Sequence, residues 1–150
     1  MNILALDLAT KTGWAHSCGE SGVWDLSVRR DESSGMRLLR LRARLGEVMG
    51  LQPFDIMVFE TAVCSPKTRS GYGTGVELIT TAKLWALDHG IEHCGYAPSA
   101  IKKHATGKGN ANKEKMLAAA LKKWNRAFED DNHVDACWLL SFAMQELNLA

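Results

Sequence analysis

The residues that most constrain this chain are its first strand-like run, Ile3-Leu-Ala-Leu-Asp-Leu8, where one carboxylate, Asp7, interrupts an otherwise apolar stretch. Apolar residues at consecutive rather than alternating positions read as a strand buried on both faces. An ionised group in such a strand is costly unless it is paired or holds a metal. The fold must therefore cover this strand on two sides and also give Asp7 a partner.

The segments that follow supply the cover. Thr10-Lys-Thr-Gly13 reads as a turn, and Trp14 to Cys18 and Val23 to Val28 as two more strands of an antiparallel meander. Leu38, Leu41, Leu45, Val48 and Met49 recur at helical spacing, with Arg37, Arg40 and Arg44 on a separate, solvated stripe, until Gly50 and Pro53 end the helix. Phe54 to Phe59 is a second strand of the buried type and closes on Glu60. Residues 63 to 75, rich in glycine, read as a long loop, and a helix is expected from about Gly75 to His89. Ile91 to Tyr96 is a strand, Pro98-Ser99 opens a short helix, Gly107-Lys-Gly109 breaks it, and Asn112 caps a helix running to about Trp124. The last helix starts near Asp131, with Ala136, Leu140, Ala143, Met144 and Leu147 facing the core. Three strands, helix, strand, helix, strand and further helices, without repeat or linker, fit one α/β domain over residues 1–150: a mixed sheet flanked by helices.

Composition narrows the function classes. Met1 to Ala9 is too short for a membrane span and lacks the basic flank of a signal peptide, so a soluble, cytoplasmic protein is expected. Cys18, Cys64, Cys94 and Cys137 stand far apart with no CxxC pair, which argues against a zinc site or a disulfide framework and makes them buried or idle thiols. A net charge of +1 gives no whole-chain case for binding nucleic acid. Its distribution is more telling. Ionised residues from Lys102 to Arg126 are nearly all basic, and Glu129, Asp130, Asp131 and Asp135 follow at once, which suits a basic groove leading to an acidic centre.

Asp7 and Glu60 lie in or at the end of apolar strands, Asp135 begins an apolar helix, and Asp131 shares its helix face one turn earlier. Should these elements converge, the carboxylates offer the all-oxygen ligand set that magnesium prefers, and such a cluster can hold two ions about a scissile phosphate. Zinc is a poor fit, because His133 is the only nearby histidine and no thiolate accompanies it. Each carboxylate alone has an ordinary reading as a turn former, a strand-end charge or a helix cap; the combination gives them weight.

The chain resembles a known family at four places in order. Leu4-Ala-Leu-Asp7-Leu-Ala-Thr-Lys-Thr-Gly13-Trp-Ala15 resembles the first motif of RuvC-type Holliday junction resolvases, and Phe59-Glu60 their second. Ile101-Lys-Lys-His-Ala-Thr-Gly107-Lys-Gly109-Asn-Ala-Asn-Lys113 resembles their basic segment, and Asp130-Asp-Asn-His-Val-Asp135-Ala136 their final acidic helix. The resemblance implies a ribonuclease H-like fold: a five-stranded mixed sheet, three antiparallel strands then two parallel, flanked by helices. It also implies paired nicking of four-way DNA junctions by a homodimer using two magnesium ions, or manganese, with Asp7, Glu60, Asp131 and Asp135 as catalytic metal ligands. A phage-type member is suggested by compactness alone.

The match departs in two places. The family's fourth ligand falls three residues before the final aspartate, where this chain has Asn132; Asp131 is the preferred charged ligand, with Asn132 or His133 beside it. Members also carry an aromatic residue soon after the second-motif glutamate, where this chain reads Thr61-Ala-Val-Cys64, leaving Tyr72 as the residue that could stack on a base. Gly107-Lys-Gly109 fails the P-loop pattern, so no nucleotide cofactor is expected; Lys102, Lys103, Lys108 and Lys113 read as contacts to the DNA backbone. The alternatives are a junction-binding module without catalysis, or a related nuclease acting on broader branched DNA or structured RNA.

Overall fold

The computed structural model describes residues 1–61 and 69–149, with side chains from residue 73 onward in the second segment. Its elements run β1 (Ile3–Asp7), β2 (Lys11–His16), β3 (Ser21–Asp25), α1 (Met36–Leu51), β4 (Ile56–Glu60), α2 (Arg69–Asp88), β5 (Glu92–Tyr96), α3 (Pro98–Thr106), α4 (Lys113–Trp124) and α5 (Asp131–Glu146). The five strands form one sheet in the order β3-β2-β1-β4-β5. β1 pairs antiparallel with β2 and β2 with β3, whereas β1–β4 and β4–β5 are parallel. The expected mixed sheet, three antiparallel strands and two parallel, is the one observed.

The two faces of β1 explain its unbroken apolar sequence. Leu4 and Leu6 pack with Leu41 and Leu45 of α1 and with Leu78, Ala82 and Trp85 of α2. Ile3 and Ala5 pack on the other side with Ile56 and Val58 of β4, Ile101 of α3, Met116 of α4, and Val134, Trp138 and Leu139 of α5. Each fully buried leucine contributes about 1.5–3 kcal/mol, so β1 anchors both layers. α5 is buried around most of its circumference: its inner half meets β1 and β4, while Ala136 and Cys137 lie against Ala15 of β2. Its stripe is therefore broader than the one expected, and Val134, Trp138 and Leu139 carry more of it than Leu140 and Met144.

Two expected boundaries moved. Lys11 to Gly13 belong to β2 rather than to a turn; the reversal sits before them, closed by the buried Thr12 hydroxyl, which donates to the Ala9 carbonyl at 2.7 Å. α2 begins at Arg69, within the span read as a loop, because glycines at residues 71, 73 and 75 are tolerated inside a helix otherwise held by its packing. Other ends agree within a few residues, and Asn112 caps α4 as expected, its side chain accepting from the Lys115 amide at 2.9 Å. The arginine stripe of α1 is not wholly solvated: Arg40 pairs with Glu32 and donates to the Ser27 carbonyl at 2.8 Å. Cys137 is buried, Cys18 exposed and Cys94 intermediate, while Cys64 lies outside the described residues. Among the described residues no helix is long and apolar enough to cross a membrane.

Candidate active site

Sheet register places the first two carboxylates side by side. Leu6 of β1 lies opposite Phe59 of the parallel strand β4, so the next residues along, Asp7 and Glu60, end adjacent strands at the same edge. Side chains alternate between faces along a strand, so Asp7 shares a face with Ile3 and Ala5, and Glu60 with Ile56 and Val58. That face is the one covered by α5. Asp135 lies one turn before Trp138 and Leu139, which rest on those same strand residues. Strand parity and helix phase therefore aim Asp7, Glu60 and Asp135 toward one another.

Close approach of α5 depends on Gly13. It is the cross-strand partner of Asp7, and a Cβ built on it would lie 1.8 Å from the Asn132 carbonyl oxygen and 2.9 Å from the His133 nitrogen. The first turn of α5 thus rests on bare backbone. Three contacts hold it there: Asp130 accepts from the His133 amide at 2.9 Å as N-cap, the Asn132 side-chain amide donates to the Lys11 carbonyl at 2.8 Å, and His133 Nε2 bonds Ser21 Oγ at 2.8 Å. The Glu129 amide donates to His133 Nδ1 at 3.0 Å, which fixes the neutral tautomer with its proton on Nε2. Burial, followed by Arg126, holds the pKa of His133 below that of a free imidazole, which favours the neutral ring.

The carboxylates are electrostatically strained. Burial, then Asp135, Glu60 and Asp130, push Asp7 well above the usual carboxylate range, against Lys113. Burial and then Asp135 raise Glu60 to about 7, opposed by Lys102. Burial and then Asp131 raise Asp135 to about 6, opposed by Lys102 and Lys113. Among the described residues no three side chains of the ligating types form a ready-made metal cage. What suits a divalent cation is the chemistry of the set: oxygen donors only, partly dehydrated, with like charges that lack sufficient compensation.

The remaining expected residues fall into distinct places. Asp131 is half-exposed and ion-pairs with Lys113 at 3.2 Å, within the field of Asp135. Asn132 and His133 are engaged with β2 and β3, which leaves Asp131 as the nearer charged group. The charge of Lys102 is felt by both Glu60 and Asp135, which places it on the side of α3 nearer the centre, whereas Lys103 and Lys108 are exposed on and after α3. The Tyr72 side chain lies outside the described residues. Sequence reasoning missed the seat that Gly13 makes for α5, because a glycine beside threonines looks like a turn, and missed Asp130 as the cap.

One consequence can be measured on metal-free protein. Glu60 titrates near 7 folded against 4.5 for an ordinary glutamate, so folding favours its neutral form. This contribution is complete below the unfolded value and is lost as pH rises through about 7. Glu60→Gln cannot ionise, so in chelator at about pH 8 it should melt roughly 5 °C above wild type, from about 2 kcal/mol after allowing for partial solvent contact. The gap should close below about pH 4, where both side chains are neutral. Equal melting at both pH values would show that Glu60 is not strained.

The architecture defined by this sheet order and by carboxylates at the ends of adjacent central strands is ribonuclease H-like. No family model matches the chain. A crossover junction endodeoxyribonuclease RuvC from Chromohalobacter salexigens is 33% identical over 88 residues, which is 58% of this chain and 46% of that protein. The chain thus spans less than half of that relative. A Thermus thermophilus RuvC solved in complex with Holliday junction substrate superposes with a TM-score of 0.78 at 16% identity, covering 99% of this chain and 95% of that one. The yeast mitochondrial Holliday junction resolvase Ydc2 gives 0.67 at 10% identity, over 98% and 79%. The fold is therefore the one found in RuvC-type resolvases.

Proposed function

We propose that this protein is a magnesium-dependent endonuclease that resolves four-way DNA junctions by paired, symmetric nicks. The observation that carries this reading is the convergence of Asp7, Glu60 and Asp135 on one face at the ends of β1 and β4, in a fold shared with resolvases. Asp7, Glu60 and Asp135, with Asp131 as the fourth group, would hold the cations. Magnesium bound there supplies activation of water and stabilisation of the leaving oxygen in phosphodiester hydrolysis. The chain's own residues do the rest. Asp7, Glu60 and Asp135 concentrate negative charge where a cation would be held, and Lys102 and Lys113 bring positive charge to the edge of the cluster, where a phosphate backbone would approach. Lys103 and Lys108 extend that contact, and Tyr72 is the candidate for stacking on a base.

Two equivalent cuts require two equivalent centres, hence a two-fold homodimer. α2 supports it: Leu84 and Leu87 are 59% and 68% exposed, an apolar surface that a second copy would cover. Activity at the nucleoid, or in host cytoplasm for a viral member, follows from a DNA substrate.

The test is direct. Purified protein with magnesium should nick opposed strands of a synthetic four-way junction at matching positions and leave plain duplex largely uncut. Cleavage of flaps or RNA duplex at comparable rates would replace junction resolution with a broader nuclease, and junction binding without cleavage would replace it with a binding module.

A further inference from the structure

Beyond the catalytic centre, α3 and α4 enclose a groove of about 720 Å³. Small residues, Ala118 and Ala119, make its floor beside Trp138, and Lys108, Lys115, Lys122 and Lys123 line it without any acidic residue. Lys123 is committed to the protein, since it donates to Ser141 Oγ at 3.0 Å and lies over the Trp124 and Trp138 rings. Lys108, Lys115 and Lys122 are exposed and have no ion-pair partner among the described residues.

Helix electrostatics makes this arrangement costly in isolation. Lys122, in the last turn of α4, suits the negative end of the helix dipole. Lys115 lies in the first turn, at the positive end, between the neighbouring Glu114 and the groove, so the helix dipole opposes its placement. An anionic ligand in the groove removes that opposition. Lys115 and Lys122 are seven residues apart, two turns on one face, about 10 Å along the axis. That matches about three nucleotides of axial rise on one strand. The alanine floor gives a sugar-phosphate backbone room to lie between the helices. Lys113, at the head of α4 and two residues before Lys115, pairs with Asp131, so the helix that lines the groove also reaches the acidic helix α5.

We propose that this groove is a second DNA-backbone track, in which Lys115 and Lys122, with Lys108 at its mouth, hold an arm of the branched DNA away from the scissile phosphate. The proposal rests on the branched-DNA reading and names how that substrate is held beyond the cut.

The test compares Lys115→Gln/Lys122→Gln with a control pair, Arg42→Gln/Arg44→Gln, which removes the same charge from α1 on the opposite face of the sheet. Binding of a fluorescent four-way junction is measured in calcium or chelator at several salt concentrations. The lysine pair should reduce the slope of log affinity against log salt by about 2, and the arginine pair should leave it unchanged. Lys115→Arg/Lys122→Arg should keep the wild-type slope, which an unfolded variant could not do. An unchanged slope in the lysine pair overturns the track and assigns these cations to some other partner, such as an acidic protein; an equal fall in both pairs overturns it in favour of bulk charge. Wild-type cleavage, measured separately, persists when only the track is wrong and is absent when the nuclease reading itself fails.

Discussion

Asp7→Asn protein should bind a four-way junction at least as tightly as wild type and cut it about 10³-fold more slowly or worse. The substitution keeps the shape of the side chain and removes one charge from the centre of the cluster. Asp7 is the carboxylate on which the others bear most heavily, with Asp135, Glu60 and Asp130 all adding to the effect of burial. Removing its charge relieves that repulsion, so the fold is preserved and phosphate approaches more easily. Cation affinity falls for the same reason. A loss of about 10³ in single-turnover rate corresponds to about 4 kcal/mol of barrier, within the range for one electrostatic contributor to a transition state. Manganese titration of wild type and variant supplies the independent readout: binding that depends on Asp7 in the absence of DNA. Cleavage within tenfold of wild type would refute the assignment of the centre to this cluster.

The second large effect concerns folding. Gly13→Ala and Gly13→Val should both lose about 4 kcal/mol or more, and by nearly the same amount. The clash is made by the Cβ itself, 1.8 Å from the Asn132 carbonyl, so a larger side chain adds little to a position already excluded. In a domain of this size that lowers the melting temperature by roughly 10 °C or more, or leaves the protein insoluble. Gly46→Ala is the control: nothing lies within 4 Å of a Cβ there, and in the interior of α1 alanine should be neutral or stabilising by about 0.5–1 kcal/mol. Tolerance of alanine at Gly13 would mean that α5 sits farther from the sheet.

These two positions show what was legible in the sequence. Asp7 stood out because a charge in a run buried on both faces needs a partner, and the same logic found Glu60. Register then did what composition could not, setting the two strand ends side by side. Gly13 was visible only as a turn residue, since close backbone approach leaves no pattern of its own and depends on an element about 120 residues away. The start of α2 was missed because glycines weigh against a helix locally while packing of Leu78, Ala82 and Trp85 secures it. Asn132 looked like a weakened ligand; its amide instead fastens α5 to β2, a long-range contact that no spacing rule could supply.

α5 has a further consequence. It carries Asp135, yet it is wedged among three strands and two helices, capped by Asp130 and fastened through Asn132 and His133. An element so enclosed cannot swing toward a substrate without opening the core. On the nuclease reading, compliance would then lie with the nucleic acid: a rigid template selects whichever polymer can bend its backbone onto fixed carboxylates, and a branch point, where the continuous stack of the duplex is interrupted, would bend at lower cost than continuous duplex.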